Sequence, residues 1–271
     1  MKPIGGGAWT PGQADATRSG RGWLVPDWPA PAHVRACVTT RSMPGASLSP
    51  FDTFNLGAHC GDDPGAVAKN RAALVPALAL PSAPRWLRQV HGTDVAVFGG
   101  AAFDDAEDSH AETVSADAAL ARSANVVLCV LTADCLPLLL AADDGSEIAV
   151  IHAGWRGLAA GVIERCIVRM RTPRDRLLVW LGPAIGPKSY EVGEEVRAAF
   201  VAHESNAVSA FTATRPGHWH CDLYTLARQR LHACEVRRIF GGDHDTLVDP
   251  RFYSYRRDGE TGRFASLIWI E

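Results

Sequence analysis

Short apolar runs with almost no polar interruption occupy the middle of the chain. The clearest are 126–131, 136–142 and 148–152, and a few polar residues separate each run from the next. Strands buried on both faces show this pattern, whereas half-exposed strands alternate apolar with polar residues. The break at 143–146, Asp-Asp-Gly-Ser, is typical of a turn. The pattern therefore predicts central strands of a sheet that is covered on both sides.

The flanking segments extend this core into an α/β order. Strands are predicted over 34–40, 85–91, 95–98, 177–181 and 266–270, and helices over 63–80, 158–170, 191–202 and 223–234. Asp63 and Pro64 provide a cap and a first-turn proline for the first of these helices. The turn 91–94 is predicted to join the strands over 85–91 and 95–98.

The polar stretches between these elements divide into loops and one leader. Residues 41–59 are rich in Ser, Pro, Gly and Asn, which predicts a long loop, and the acidic stretch 99–115 predicts an exposed excursion. We place a flexible leader at 1–22 and one domain at 23–271. The fold class is therefore α/β, a single layered domain with a mixed β-sheet flanked by helices.

Composition and charge narrow the possible partners. The chain has 47% hydrophobic and 21% charged residues, as in an ordinary globular protein. Its net charge of −3 argues against a generally basic surface that would bind nucleic acid or membranes. No apolar run reaches the roughly 20 residues of a spanning helix, and we find no secretory signal. The 7 cysteines are odd in number and scattered, which argues against a disulfide framework and favours a cytoplasmic location.

Three potential metal ligands interrupt or end the apolar segments. His91 ends a predicted strand, Cys135 lies in the polar break before 136–142, and His152 ends the third run. Two imidazoles and one thiolate suit a borderline ion such as zinc, and three protein ligands leave a position open for chemistry. Asp134 and Arg156 stand beside these ligands, and charged groups are costly to bury without a purpose or partner.

The same residues allow other interpretations. Cys135 and His152 could form a nucleophile and its base without any metal. Each could also be an ordinary core or hydrogen-bonded residue, since the long spacings lack the compactness of a Cys-x-x-Cys pair. Gly154 and Gly157 could let the backbone approach an anion that Arg156 binds, or they could merely form a tight turn.

Motifs in a fixed order carry a resemblance to a known family. They are 54–57 (FNLG), 89–92 (QVHG), 116–118 (ADA), 132–137 (TADCLP), 152–157 (HAGWRG), 181–186 (LGPAIG) and 252–259 (FYSYRRDG). The chain thus resembles, from about Val34 to its C-terminus, the YfiH-like, laccase-domain proteins. These were long labelled polyphenol oxidases and were later described as purine nucleoside phosphorylases with adenosine deaminase activity. Family members often carry a Cys-Thr pair before the last motif, and here the stretch 242–246 lacks that cysteine.

The resemblance implies a CNF-toxin/YfiH-like α/β domain that binds zinc through His91, Cys135 and His152. It also implies phosphorolysis of adenosine, inosine, guanosine and methylthioadenosine, together with adenosine deamination. The expected ligands are therefore a purine nucleoside and phosphate. The sequence indicates nothing about the oligomeric state.

This chemistry suggests roles for five further residues. Zinc lowers the pKa of a bound water, as deamination at C6 of a purine requires, and Asp134 is the candidate proton carrier because it adjoins Cys135. Arg41 and Arg156 are candidates to hold phosphate. Asn55 and Gln89 are candidates for hydrogen bonds to the substrate. 

Three other classes stay open. Some family members have been linked to copper-dependent phenol oxidation. A multicopper centre, however, needs many histidines in close His-x-His pairs. This chain has only 10 histidines, and the one such pair is His218-Trp219-His220. A metal-free Cys–His hydrolase, or a factor that edits peptidoglycan precursors, would use Cys135 as its nucleophile. The third class is a binding protein without catalytic activity.

Overall fold

The computed structural model describes residues 22–99 and 114–271. The predicted leader over 1–22 therefore lies outside the described residues except for Gly22, and the same holds for 100–113 of the predicted excursion. The strands in the described ranges are β1 Trp23–Leu24, β2 Val34–Thr39, β3 Leu87–Arg88, β4 Val95–Phe98, β5 Val114–Ser115, β6 Ala118–Ala121, β7 Leu128–Thr132, β8 Leu136–Ala142, β9 Ile148–Ala153, β10 Leu177–Leu181, β11 Glu191–Gly193, β12 Phe211–Arg215, β13 His218–Cys221, β14 Arg238–Gly241 and β15 Phe264–Ile270.

Six α-helices lie in the described ranges. They are α1 Pro64–Leu78, α2 Trp155–Ala160, α3 Val162–Arg169, α4 Glu194–Val201, α5 Leu223–Ala233 and α6 Tyr255–Asp258. The Asp63 side chain accepts a hydrogen bond of 2.7 Å from the amide of Ala66 and so caps α1, as predicted. The α1 helix ends at Leu78, before the predicted boundary, because Ala79 adopts a left-handed conformation.

A six-stranded mixed sheet forms the centre of the fold, in the order β14-β10-β8-β9-β6-β4. The β8–β9 hairpin pairs antiparallel, and the outer pairs β10–β14 and β4–β6 are parallel. Leu138 and Leu140 of β8 pack with the helices, whereas Leu139 packs on the opposite face. Both faces of these strands are buried, which confirms the prediction from the uninterrupted apolar runs.

A second, four-stranded antiparallel sheet packs against the first, in the order β1-β2-β15-β7. Its inward residues, including Val38, Val130 and Ile268, share one apolar core with Leu139 and Val150 of the central sheet. Its other face packs against α1 and the loop before it. The α/β class and the flanking helices are confirmed, and the second sheet adds a layer that the sequence pattern did not predict.

Several predicted boundaries differ from the structure. The strands over 85–91 and 95–98 belong to different sheets, since β3 pairs with β5 and β4 with β6. The helix over 158–170 is two helices, and the positive φ of Gly161 (94°) separates them. The helix over 191–202 starts only at Glu194, because 191–193 form β11 in a small sheet with β12 and β13. These differences follow from pairing with strands that are distant in the sequence.

Two further findings concern disulfides and the helices. All seven cysteines lie in the described ranges, and none of them forms a disulfide. None of the helices in those ranges has both the length and the apolar character that a membrane span requires.

A buried carboxylate fastens the β8–β9 turn to the end of α3, and this contact supplies a stability test. Glu147 accepts hydrogen bonds from the amides of Arg171 (2.9 Å) and Thr172 (3.2 Å) and pairs with Arg122 at 2.7 Å. We expect Glu147→Ala to lower the free energy of unfolding by about 2–3 kcal/mol, because it leaves buried donors unsatisfied. Denaturant unfolding measures this change. The control Glu194→Ala removes an exposed ion pair with Arg197 and should lower the free energy of unfolding by less than about 1 kcal/mol. Equal decreases for the two variants would contradict the role that we assign to Glu147.

Candidate metal centre

The three predicted metal ligands come from three separate segments that meet at one end of the central sheet. His91 lies in the loop after β3, Cys135 in the turn between β7 and β8, and His152 near the end of β9. Leu136 lies opposite Ala153 in the β8–β9 pair, which brings Cys135 to the point where β9 ends. The β8–β9 register therefore places one thiol and one imidazole side by side.

The ligand atoms are close enough to share one ion. The Cys135 sulfur lies 3.7 Å from Nε2 of His91, and one ligand atom from each of the three residues lies within 4.8 Å of the others. The rings of His91 and His152 meet edge to face with centroids 4.8 Å apart. A tetrahedral zinc site separates its sulfur and nitrogen ligands by about 3.6 Å, so the residues fit such an ion.

The segment after β9 approaches this centre so closely that a side chain would not fit. A Cβ atom added to Gly154 would lie 2.5 Å from Cδ2 of His91 and 3.2 Å from the sulfur of Cys135. A Cβ atom on Gly157 would lie 2.8 Å from the carbonyl oxygen of Gly92. The two glycines thus let the start of α2 pack against the ligand-bearing loop, and steric contact with His91 is the reason for the first of them.

A carboxylate that the sequence analysis did not assign organises the centre. Asp117, with its side chain fully buried, accepts hydrogen bonds from the amides of Val90 (3.2 Å), His91 (3.0 Å) and Gly92 (2.6 Å). It also contacts Nδ1 of His152 at 2.8 Å. This contact leaves Nε2 of His152 for a metal, as in many sites where a carboxylate orients a ligating histidine. The sequence signal that could have identified it is a lone charge within the apolar segment 116–121.

The charges of the centre reinforce one another. Burial by itself raises the pKa of the Cys135 thiol, but the neighbouring His152 and His91 outweigh burial and lower this pKa to about 6. Burial lowers the pKa of His152, while Cys135 and Asp117 raise it to about 9. Burial also raises the pKa of Asp117, yet its hydrogen bond and charge interaction with His152 bring it below the ordinary value. A thiolate is the form of cysteine that binds metals and acts as a nucleophile.

Asp134 connects the centre to two other segments. Its Oδ1 accepts a hydrogen bond from the hydroxyl of Thr246 (2.6 Å), and its Oδ2 accepts one from the amide of Arg256 (2.7 Å). Its carbonyl oxygen accepts from the amide of Ile185 at 3.0 Å. The φ angle of Asp134 is 92°, a conformation that is costly for a residue with a side chain. Asp134 thus holds the turn beside Cys135, and its predicted part in proton transfer stays a prediction.

The predicted substrate residues Gln89 and Asn55 make hydrogen bonds within the protein. Gln89 exchanges two bonds of 2.8 Å with the backbone of Leu131 and so joins the loop after β3 to β7. Asn55 is fully buried, donates to Asp62 at 2.9 Å and accepts from the amide of Arg263 at 2.8 Å. Both residues shape loops, and their contact with a substrate stays a prediction.

The two arginines predicted to hold phosphate differ in how their charges are used. Arg41 donates to the carbonyl oxygen of Asp52 at 3.2 Å, lies 3.5 Å from a carboxylate oxygen of Asp258 and stacks on Tyr253. Arg156 is exposed, and its guanidinium lies 4.5 Å from the centroid of a ring of its neighbour Trp155. Arg41 is therefore already neutralised, whereas Arg156 keeps a solvent-facing charge.

Comparison with known proteins identifies the family of this chain. A family model described as multi-copper polyphenol oxidoreductase laccase matches residues 35–271. The chain belongs to this family, the YfiH-like laccase-domain proteins. The resemblance drawn from the motifs is thereby confirmed.

Relatives within the laccase-domain family carry the name of a different activity. A Xylella fastidiosa protein named purine nucleoside phosphorylase is 53% identical over 91% of this chain and 96% of its own length. The Escherichia coli protein named purine nucleoside phosphorylase YfiH is 47% identical over 91% of this chain and 98% of its own. The crystal structure of a Neisseria meningitidis DUF152 protein superposes with a TM-score of 0.84 at 41% identity, covering 92% of this chain and 99% of that one.

The role of Asp117 can be tested by its effect on metal affinity. We expect Asp117→Asn to weaken zinc binding by about 10- to 100-fold, because the amide no longer orients His152 as a carboxylate does. Competition with a chromogenic chelator measures the affinity, and circular dichroism checks that the fold is kept. An unchanged zinc affinity in a folded variant would show that Asp117 supports only the loop.

The lowered pKa of Cys135 predicts its reactivity in metal-free protein. Its alkylation by iodoacetamide should persist down to about pH 6, whereas a free thiol of pKa about 8.5 reacts slowly below pH 8. Because His152 stabilises the thiolate, His152→Ala should move the midpoint to higher pH. Mass spectrometry of the Cys135 peptide gives the rate, with N-acetylcysteine as the reference thiol. A midpoint equal to that of the reference would contradict the described charge pair.

Proposed function

We propose that this chain is a zinc-dependent purine nucleoside phosphorylase that also deaminates adenosine. The zinc part of the proposal is supported by one thiolate and two imidazoles that surround a single point. Asp117 supports it further, because it contacts Nδ1 of His152 and leaves Nε2 for the ion. The names of the close relatives support the phosphorylase activity. We propose adenosine, inosine, guanosine and methylthioadenosine as the nucleosides, and inorganic phosphate as the second substrate.

The chain's own residues would position the reactants. Phosphorolysis breaks the bond between C1′ of the ribose and the purine nitrogen, forms a bond from C1′ to a phosphate oxygen, and leaves a proton on the base. His91, Cys135 and His152 would hold the ion, which supplies Lewis acidity when bound. Asp134, fixed beside Cys135, is our candidate for moving the proton in deamination, and the exposed charge of Arg156 is available to an anion.

Two observations favour alternatives that the same experiment addresses. A set of two His and one Cys also matches trigonal copper sites, which keeps copper-dependent phenol oxidation as a candidate. Among the described residues this is the one group of three or more His, Cys or carboxylate ligands that meet, and a multicopper centre needs several such groups.

Cys135, His152 and Asp117 also have the order of nucleophile, base and orienting carboxylate, which keeps a metal-free hydrolase as a candidate.

The absence of disulfides among the seven cysteines supports a reducing compartment. None of the seven forms a disulfide, including the three partly exposed ones, Cys60, Cys135 and Cys234. We therefore propose a cytoplasmic location, where free thiols persist.

Product analysis tests the proposal. Purified protein loaded with zinc should release free base from inosine only when phosphate is present, and should convert adenosine to inosine without phosphate. Removal of the metal with a chelator, or the change Cys135→Ala, should lower both rates at least about 100-fold, because the ion loses a ligand. Cys234→Ala, which lies at the end of α5, should keep the rates of the unmodified protein.

Each alternative has its own result. Stoichiometric copper by elemental analysis, with oxidation of a phenol, would replace our proposal by the oxidase. Activity that survives chelation and is lost on alkylation of Cys135 would replace it by the metal-free hydrolase. Absence of base and of inosine from zinc-loaded protein would refute it.

A further inference from the structure

The final short helix holds an arginine whose backbone is tied to the metal centre. The amide of Arg256, in the first turn of α6, donates to Asp134 at 2.7 Å, and Asp134 directly precedes the ligand Cys135. The hydroxyl of Ser254 caps the same helix by accepting from the amide of Arg257 at 3.2 Å. The position of Arg256 relative to the metal ligands is therefore set by backbone contacts, independently of its own side chain.

The side chain of Arg256 is directed along Tyr190. Its Nη1 donates to the carbonyl oxygen of Glu191 at 2.8 Å, and its guanidinium carbon lies 5.1 Å from the centroid of the Tyr190 ring. Tyr190 follows a segment that is bound to the turn beside Cys135: the amide of Ile185 donates to the carbonyl oxygen of Asp134 at 3.0 Å, and the amide of Tyr190 donates to that of Gly186 at 3.1 Å. The guanidinium thus lies against a ring whose segment is hydrogen-bonded to Asp134, the residue before Cys135.

Arg256 differs from the neighbouring arginines in the use of its donors. Arg257 donates to the carbonyl oxygens of Thr246 and Phe252 and to Asp258, and so supports the loop. In contrast, Arg256 makes one side-chain hydrogen bond within the described part of the chain, to a neutral carbonyl group, and no ion pair there. A guanidinium has five N–H groups, so Arg256 keeps a full charge and several donors for a ligand.

We infer that Arg256 binds the phosphate that attacks the nucleoside, with Tyr190 and Asp134 as its positioning residues. The inference rests on the proposed phosphorylase activity and adds the site of its second substrate. A phosphate dianion that approaches Cys135 and Asp134 meets two negative groups, so a cation is needed at this edge in addition to the ion. A guanidinium suits this role, because it offers paired N–H donors to two oxygens of a phosphate.

Steady-state kinetics with separate variation of the two substrates tests the assignment. Arg256→Met should raise the KM for phosphate by about 10- to 100-fold, as expected for the loss of hydrogen bonds to a charged group, and should leave the KM for inosine nearly unchanged. Arg256→Lys should restore part of the loss. Zinc content and the thermal unfolding midpoint verify that both variants keep the centre and the fold.

The matched control is Arg215→Met. Arg215 pairs with the carboxylate of Glu191 at 2.9 Å, whereas Arg256 contacts the carbonyl oxygen of the same residue. This variant removes one arginine charge from the same neighbourhood and should leave both KM values unchanged. A rise in the KM for inosine alone, or a phosphate effect seen with Arg156→Met and absent with Arg256→Met, would overturn the assignment.

Direct binding separates this inference from the proposed function. Calorimetric titration of inorganic phosphate into zinc-loaded protein needs no turnover. Binding to the unmodified protein that is lost in Arg256→Met supports the phosphate site, even if no nucleoside is cleaved and the phosphorylase proposal fails. Equal binding to both proteins, or an absence of binding to the unmodified protein at millimolar phosphate, overturns the site whatever the outcome for the nucleosides.

Discussion

One buried carboxylate holds together the segments on which the metal centre depends. Asp117 has no exposed surface, so the solvation that it loses on burial must be replaced by hydrogen bonds. Three of these come from successive amides of the loop after β3 and the fourth from the imidazole of His152. The same contacts satisfy the amides of residues 90–92, which lie beyond the end of β3 at Arg88 and so have no partner within that strand. The ligand-bearing loop and the carboxylate therefore stabilise each other.

Asp134 has the corresponding role on the other side of the centre. Its carboxylate fixes Thr246 and the amide of Arg256, and its backbone fixes Ile185, so three chain segments converge beside Cys135. The positive φ of Asp134 costs conformational energy, and the surrounding hydrogen bonds offset it. The two acidic residues have separate roles: Asp117 orients His152, a candidate metal ligand, and Asp134 binds the backbone of Ile185 and Arg256.

The family name and the names of the relatives point to different chemistry, and the site geometry helps to choose between them. Electron transfer to oxygen in a multicopper oxidase requires several copper ions close together, whereas the described ligands gather around one point. One metal ion with an open position suits the polarisation of a single substrate bond. Arg256, whose amide is bound to Asp134 and whose side chain makes one hydrogen bond in the described part of the chain, suits a reaction with an anionic partner. We therefore favour the nucleoside chemistry over the oxidation.

The sequence by itself determined the buried central strands, the capped start of α1 and the choice of His91, Cys135 and His152 as candidate metal ligands. These follow from local patterns: uninterrupted apolar runs, Asp before Pro, and polar groups that interrupt strands, together with the ordered motifs of a known family. The tertiary structure decided the pairing of β3 and β4 with different strands, the second sheet, and the partners of Asp117, Asn55, Gln89 and Arg41. Such features depend on contacts between residues far apart in the chain, as for Asp134 and Arg256, which are 122 positions apart. Whether a charged side chain is neutralised within the protein or left for a ligand is settled by those distant partners, and no local pattern records them.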